Sequence, residues 1–224
     1  MRALLILPFL LAATPAVAET REDEQVWFNA TLMGSVAGSR LSYFAEVQPR
    51  FTDGVSRVGT LILRPAIGWK FSDAVTAYAG YAHVETNVAD GPDRNEERVF
   101  GQLSWTLHKC GPETVSLRTR LEHRRQSNGG ETGWRVRSLL RYATPLGAPE
   151  RTRALVSVEP FVALNDTDWG ARGGFDQVRA FAGVEIPLAG KSTIEAGYLN
   201  QYVNEARGDA RMNHVLSLTL FVRP

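Results

Sequence analysis

The sequence has little cysteine, no long apolar stretch after its first residues and no excess of one charge. Its 224 residues include a single cysteine, Cys110, so an internal disulfide framework is excluded. Lysine and arginine number 25 against 24 aspartate and glutamate residues, a balance that gives no indication of nucleic-acid binding. After residue 18, no apolar run reaches the ~20 residues that a membrane-spanning helix needs. A run of helical periodicity is missing too, which argues against an α-helical fold.

The first 18 residues have the layout of a secretory signal peptide. Met1 and Arg2 give a positive start, an apolar run follows from Ala3 to Val17, and the small residues Ala16 and Ala18 frame a cleavage site. We therefore predict a cleaved signal peptide over residues 1–18 and one domain over residues 19–224.

The dominant pattern in that domain is alternation of polar and apolar residues with period two. It forms eleven segments, from Gln25–Ser35 to Met212–Val222, which turn-forming residues separate about every ten to fifteen residues. Most segments reach the ~9–11 residues that a tilted strand needs to cross a bilayer. Short connections such as 71–74 alternate with longer ones such as 165–174, and the short set would face the periplasm.

This pattern predicts an all-β fold, an antiparallel up-and-down transmembrane β-barrel. Because bacterial barrels have even strand numbers, we expect ten to twelve strands and favour twelve. Either a short strand near Glu19–Gln25 completes the count, or one early segment does not span the membrane.

Aromatic residues on the apolar faces support a position in a membrane. Five of them lie near strand ends, as in the aromatic girdles of outer-membrane barrels: Trp105, Trp134, Tyr142, Tyr198 and Tyr202. We expect the outer membrane of a Gram-negative bacterium, with its lipids and the barrel assembly machinery as partners, and no nucleic acid. A periplasmic lipocalin-like barrel or sandwich is the alternative. The oligomeric state is open.

The polar faces are rich in charge and would line the lumen. The candidate anion-binding residues are Arg98, Arg118, Arg120, Arg124, Arg135, Arg137, Arg141 and Arg179, and their acidic partners are Glu46, Glu122, Glu159, Glu185 and Glu195. Folding adjacent strands back on each other predicts a row of alternating sign across four strands, Glu122–Arg137–Glu159–Arg179. The same register leaves Arg98, Arg124 and Arg135 together without an acid, and it sets Glu185 opposite Glu195.

Motifs that would carry catalysis or bind a cofactor are not found. His214 and Ser217 are three residues apart in a strand and therefore point to opposite faces. The segment Asn165–Gly170 is faintly similar to a calcium loop but lacks the bidentate glutamate, so we interpret it as an acidic surface loop. We expect no catalytic residues, metal site or cofactor, and we interpret Cys110 as an incidental free thiol, with a redox or dimer-linking role as the alternative.

A series of short motifs resembles a family of uncharacterised bacterial outer-membrane proteins, domain of unknown function 2490. The series comprises Trp27, Glu46-x-Gln48-x-Arg50, Arg64-Pro65-x-x-Gly68, the run from Leu117 to Arg124, Arg135-x-Arg137-x-x-x-Arg141-Tyr142, Glu159-x-Phe161 and Glu195-x-Gly197-Tyr198-Leu199. The resemblance spans nearly the whole domain. It implies an outer-membrane barrel and adds no activity.

Three hypotheses for function follow. The first is a small channel or uptake barrel for small polar or anionic solutes. The second is a structural or partner-binding barrel whose lumen is closed by salt bridges. The third, an enzyme that modifies lipids, has the least support, since no catalytic arrangement accompanies it.

Overall fold

The fold is a closed β-barrel, seen in a computed structural model that describes residues 20–147, 152–205 and 210–224. The described residues form eleven strands and no helix. The strands are β1 (Thr20–Ser35), β2 (Leu41–Thr52), β3 (Arg57–Lys70), β4 (Val75–Thr86), β5 (Arg94–Cys110), β6 (Glu113–Gln126), β7 (Thr132–Pro145), β8 (Arg153–Ala163), β9 (Gly174–Pro187), β10 (Thr193–Asn204) and β11 (Ala210–Val222). Each strand pairs with its neighbours in sequence, and β1 closes the barrel against β11. The predicted fold class is confirmed, whereas the predicted signal peptide over 1–18 lies outside the described residues.

The closing pair explains the odd strand number. Strands β1 and β11 run parallel, with Thr20 opposite Ala210 and Leu32 opposite Val222, while every other pair is antiparallel. An all-antiparallel closed barrel requires an even number of strands, and one parallel pair removes that requirement. The count among the described residues falls inside the predicted range of ten to twelve, one below the favoured twelve. The described part of the segment suspected near Glu19–Gln25, residues 20–25, belongs to β1 itself.

Alternation along each strand sends polar side chains inward and apolar side chains outward. On β3, Arg64 is 5% exposed, whereas its neighbours Leu63 and Ile67 are 44% and 68% exposed. The predicted girdle residues lie outside as well: four are exposed (Trp105, Trp134, Tyr142 and Tyr198), and the fifth, Tyr202, stacks on the exposed ring of Phe175 at 6.1 Å. The barrel is therefore inverted relative to a water-soluble one, which hides its apolar face.

The barrel has two dissimilar ends. The turn end carries the connections 36–40, 71–74, 111–112 and 188–192, and the loop end carries 53–56, 87–93, 127–131 and 164–173. The tightest described turn needs Gly111, whose φ of 55° lies in the left-handed region. Among the described residues, no helix is long and apolar enough to cross a membrane.

The longest loop, 164–173, is fastened to the loop 127–131 beside it. The carboxylate of Asp168 accepts hydrogen bonds from the backbone amides of Gly130 (2.7 Å) and Glu131 (3.3 Å). Trp169 Nε1 donates to the carbonyl of Glu131 at 2.9 Å, and the Trp169 ring covers the guanidinium of Arg124. The segment that faintly resembles a calcium loop thus uses its acid to join two loops.

Part of the interior is filled by apolar side chains. Phe44, Ala66, Ala82 and Phe100 are buried together, and the rings of Phe44 and Phe100 stack at 6.3 Å. This cluster belongs to β2–β5 and narrows the lumen on that side. The charged side chains described next occupy the remaining interior.

Candidate functional site: an arginine-rich lumen

A network of ionised side chains lines the inner wall. In a strand, every second side chain points to the same face, so closely spaced arginines on β6 and β7 converge in the lumen. The network has eleven arginines (Arg50, Arg64, Arg98, Arg118, Arg120, Arg124, Arg135, Arg137, Arg141, Arg153 and Arg179) and seven carboxylates (Glu46, Glu96, Glu122, Glu159, Asp176, Glu185 and Glu195). It includes all thirteen residues that the sequence placed in the lumen.

The predicted row Glu122–Arg137–Glu159–Arg179 is present in part, with a different register. The residue directly opposite Glu122 is Arg135, two positions from the expected Arg137. Arg137 still reaches both acids: its Nε lies 2.9 Å from Glu159, and its Nη1 lies 3.5 Å from Glu122. Glu159 and Arg179 are direct cross-strand partners, as predicted, yet no ion pair joins their side chains.

Two carboxylates that the sequence analysis did not select balance the three clustered arginines. Glu96 pairs with Arg98 at 2.8 Å and with Arg124 at 2.5 Å. Asp176 pairs with Arg135 at 3.0 Å. The three arginines that the predicted register left without an acid are thus all paired among the described residues, and none of the three is free to hold an anion.

The facing carboxylates at the turn end are bridged by an arginine. Glu185 and Glu195 are direct cross-strand partners, as predicted. Arg141 reaches across to both, at 3.1 Å and 2.6 Å, and Arg153 adds a second contact to Glu185 at 3.1 Å. The repulsion expected between the two acids is offset by these cations.

Two arginines of the network, Arg50 and Arg179, form no ion pair with any carboxylate in the described part of the chain. Their guanidinium carbons lie 3.8 Å and 4.9 Å from the ring of Trp27, a cation–π arrangement. The Nε atom of each is buried and has no hydrogen-bond partner there. Arg50 donates one hydrogen bond, to Gln48 at 3.0 Å. Both side chains are half-buried. Cations withdrawn from water are normally paired, so these two can accept a mobile anion.

The unpaired arginines lie where two cavities of the lumen meet. The larger cavity, of about 380 Å³, extends from this level toward the turn end, and the smaller, of about 160 Å³, extends toward the loop end. Both cavities are lined by the same four arginines: Arg50, Arg64, Arg137 and Arg179. We call these four residues the arginine layer. It is the set of arginines that the two cavities share.

Two members of this layer, Arg50 and Arg64, were not among the predicted anion-binding residues and were named only within family motifs. Both occupy inward positions of the alternation, so the signal was present. Their proximity to Arg179 depends on how β1 closes the barrel, which no local pattern reveals.

Comparison with known proteins places the chain in a family. The family model described as "Protein of unknown function (DUF2490)" matches residues 24–213. The chain belongs to this family. An uncharacterised protein from Methylorubrum extorquens is 48% identical over 225 residues, covering 98% of this chain and 97% of the relative. The DUF2490 match runs from β1 into β11 and includes every residue of the lumen network. The family description assigns no activity, so the function has to be argued from the lumen.

Proposed function

We propose that the chain is an outer-membrane β-barrel that takes up small anionic solutes through its arginine-rich lumen. The observation that supports an anionic solute is that Arg50 and Arg179, which form no ion pair among the described residues, lie between two cavities. Export would depend on the signal peptide over residues 1–18, which lie outside the described residues.

The outer surface supports insertion into lipid. Large apolar side chains are exposed on successive strands around the barrel, including Phe28, Leu32, Val47, Leu63, Ile67, Val99, Leu103, Leu121, Leu140, Val156, Val158 and Leu216. Soluble monomers rarely expose so continuous an apolar surface. Aromatic side chains lie toward both ends of this band, Trp69 and Trp105 toward the turn end and Trp134 and Phe175 toward the loop end. We orient the turn end to the periplasm because short connections lie there in outer-membrane barrels.

Charge in the lumen supports selection for anions. Eleven arginines face seven carboxylates in the network, so the wall carries a net positive charge. Rings of arginine favour anions in pores, and a planar guanidinium can bind a carboxylate or phosphate through two hydrogen bonds. The arginine layer would provide one such binding step between the cavities, while repelling cations of similar size.

A bilayer recording tests this proposal. Purified barrel is inserted into a planar bilayer across a KCl gradient, and the reversal potential reports which ion passes. We expect small conductance with preference for chloride over potassium, and a marked loss of that preference in the double variant Arg50→Gln/Arg179→Gln. Arg124→Gln is the matched control, since it removes one lumen charge, lines neither cavity and leaves Glu96 paired with Arg98. Cation preference in the unaltered barrel, or an electrically silent barrel, would contradict the proposal.

A closed, structural barrel is the second candidate, and the density of ion pairs favours it. Glu122 is 1% exposed and has Arg120, Arg135 and Arg137 within ion-pair distance, so the network can fill the lumen by itself. This alternative predicts electrical silence together with a lower melting temperature for Arg137→Gln. Conductance with unchanged stability of that variant would exclude it.

A further inference from the structure

The larger cavity combines a cationic end with an apolar wall. Arg50 and Arg179 lie at its inner end, at the arginine layer. Apolar side chains line it further toward the turn end, among them Phe44, Leu139, Phe181 and Leu199. Contact between apolar side chains and water is unfavourable, so this wall favours a ligand with an apolar part over an inorganic anion.

The cationic end has the chemistry of a head-group site. Both guanidinium groups lie against the ring of Trp27, and neither forms an ion pair with a carboxylate of the described chain. Arg179 also lies 4.7 Å from the ring of Phe161, so aromatic rings border it on two strands. Arginine held in this way keeps its donors oriented, and less freedom is lost when it binds a planar anion.

The apolar wall is built by paired strands near the middle of the barrel. Phe181 and Leu199 are direct cross-strand partners, and both point into the cavity. The next inward pair toward the turn end is Gly183 opposite Gly197, and the absence of side chains there leaves room for the Phe181 ring. A Cβ atom on Gly197 would lie 2.8 Å from Phe181 Cζ. The wall is thus a shaped apolar surface one or two residues from the arginine layer.

We infer that the larger cavity binds an amphiphilic monoanion, with a carboxylate head at Arg50 and Arg179 and an aromatic or short alkyl body against Phe181 and Leu199. The cavity volume of about 380 Å³ lies within the usual ~300–1,000 Å³ of small-molecule sites. This inference rests on the proposed function for the route by which the ligand arrives, and it names the class of solute that the same lumen prefers.

Isothermal titration of the barrel in a non-ionic detergent tests the inference. The probe is 3-phenylpropanoate, and the comparison compounds are acetate, which has no body, and 3-phenylpropanamide, which has no charge. We expect 3-phenylpropanoate to bind at least about tenfold more tightly than either, because the two ends of the cavity act on one molecule. Blank titrations into detergent alone correct for partition into micelles.

Variants test the cationic end and the apolar wall of the larger cavity separately. Arg179→Gln should weaken 3-phenylpropanoate by about tenfold or more, and Arg179→Lys should restore part of the loss. Arg172→Gln, in the exposed loop 164–173 and outside both cavities, should have no effect. Leu199→Asn should weaken 3-phenylpropanoate and leave acetate unchanged. Circular dichroism and heat-dependent gel mobility confirm that each variant is folded, and Arg179→Lys keeps the test decisive if Arg179→Gln fails to fold.

The possible outcomes separate the inference from the proposed function. Equal binding of acetate and 3-phenylpropanoate would overturn the amphiphilic class while leaving an anion-selective barrel. Equal binding of the amide would overturn the role of the arginines. Anion-selective conductance with no binding of any probe would overturn the inference alone, whereas selective binding in an electrically silent barrel would support the inference and overturn uptake through the lumen.

Discussion

The ion pair between Glu46 and Arg64 gives the sharpest test of the charge excess in the lumen. Their atoms Oε1 and Nη1 lie 2.6 Å apart, Arg64 is 5% exposed, and Arg64 belongs to the arginine layer. If this ion pair were unaffected by surrounding charges, Glu46→Gln and Arg64→Gln would lower the free energy of unfolding equally, because either change breaks the same contact. The surrounding charge makes the two changes different.

Glu46→Gln leaves Arg64 buried without an ion pair, where the more distant Glu122 is opposed by two cations, Arg98 and Arg137. Stranding a buried charge in this way costs about 3–5 kcal/mol. Arg64→Gln leaves Glu46 under the influence of Arg118 and Arg120, so the acid stays partly compensated and we expect a cost of about 1–2 kcal/mol. The free energy of unfolding should therefore be about 2 kcal/mol higher for Arg64→Gln than for Glu46→Gln.

Denaturant titration of the barrel refolded in detergent measures both values. Glu97→Gln serves as a control, since this carboxylate lies on the outer face beside His83 and is nearly half exposed, and its loss should change the free energy of unfolding by about 0.5 kcal/mol or less. Equal costs for Glu46→Gln and Arg64→Gln, or a larger cost for the arginine variant, would refute the idea that the lumen carries excess positive charge.

Three further predictions concern packing, loops and orientation. Gly197→Ala should lower the free energy of unfolding by about 1–3 kcal/mol in the same titration, because its Cβ would meet the Phe181 ring, whereas Gly101→Ala, which meets nothing within 4 Å, should be nearly neutral. Trp169→Ala should speed proteolysis within residues 164–173 and leave thermal unfolding nearly unchanged, since it removes contacts at the loop end only; unaltered cleavage would contradict this role for the ring. Cys110 is exposed at the turn end, so a membrane-impermeant maleimide should label it only after the outer membrane is permeabilised, while a cysteine placed at Ala171 in a Cys110→Ser background should react in intact cells. The reverse labelling pattern would contradict the orientation.

The wall of the barrel could be predicted from sequence because alternation is a local property. His123 illustrates this: it occupies an outward position of the alternation on β6, and its ring packs on the exposed Trp134 at 4.8 Å. His214 and Ser217 likewise point apart, since His214 bonds to the outer Tyr198 while Ser217 lines the larger cavity. Face assignment needs only the period of two, so it survives errors in strand ends.

Register could not be predicted with the same success, because it depends on how each loop folds. Thr132 pairs with Arg125 around the loop 127–131, which shifts β7 by two residues against the expected pairing with β6. The contact between Arg137 and Glu122 survives because long side chains reach diagonally across strands. The acid Glu96 was missed for a related reason, since its depth in the lumen follows from the stagger of β4, β5 and β6.

The candidate site depends on how the barrel closes, and the sequence of a single strand does not reveal which strands pair at the closure. Arg50 on β2 and Arg179 on β9 both reach the Trp27 ring of β1 only because the barrel closes through the pair β1–β11. The motif series that contains Trp27, Arg50 and Arg64 indicated membership of a family without indicating that these residues meet. The unpaired cations are thus a property of the tertiary structure.

The central claim is that Arg50 and Arg179 hold an anion where the two cavities meet. Crystals of the barrel soaked in bromide, measured at the bromine absorption edge, test it most directly because anomalous scattering locates the ion without a fitted ligand. We predict an anomalous peak within hydrogen-bond distance of both guanidinium groups, and its loss in crystals of the Arg50→Gln/Arg179→Gln variant. Peaks confined to the two rims of the barrel, with none at the arginine layer, would contradict the account.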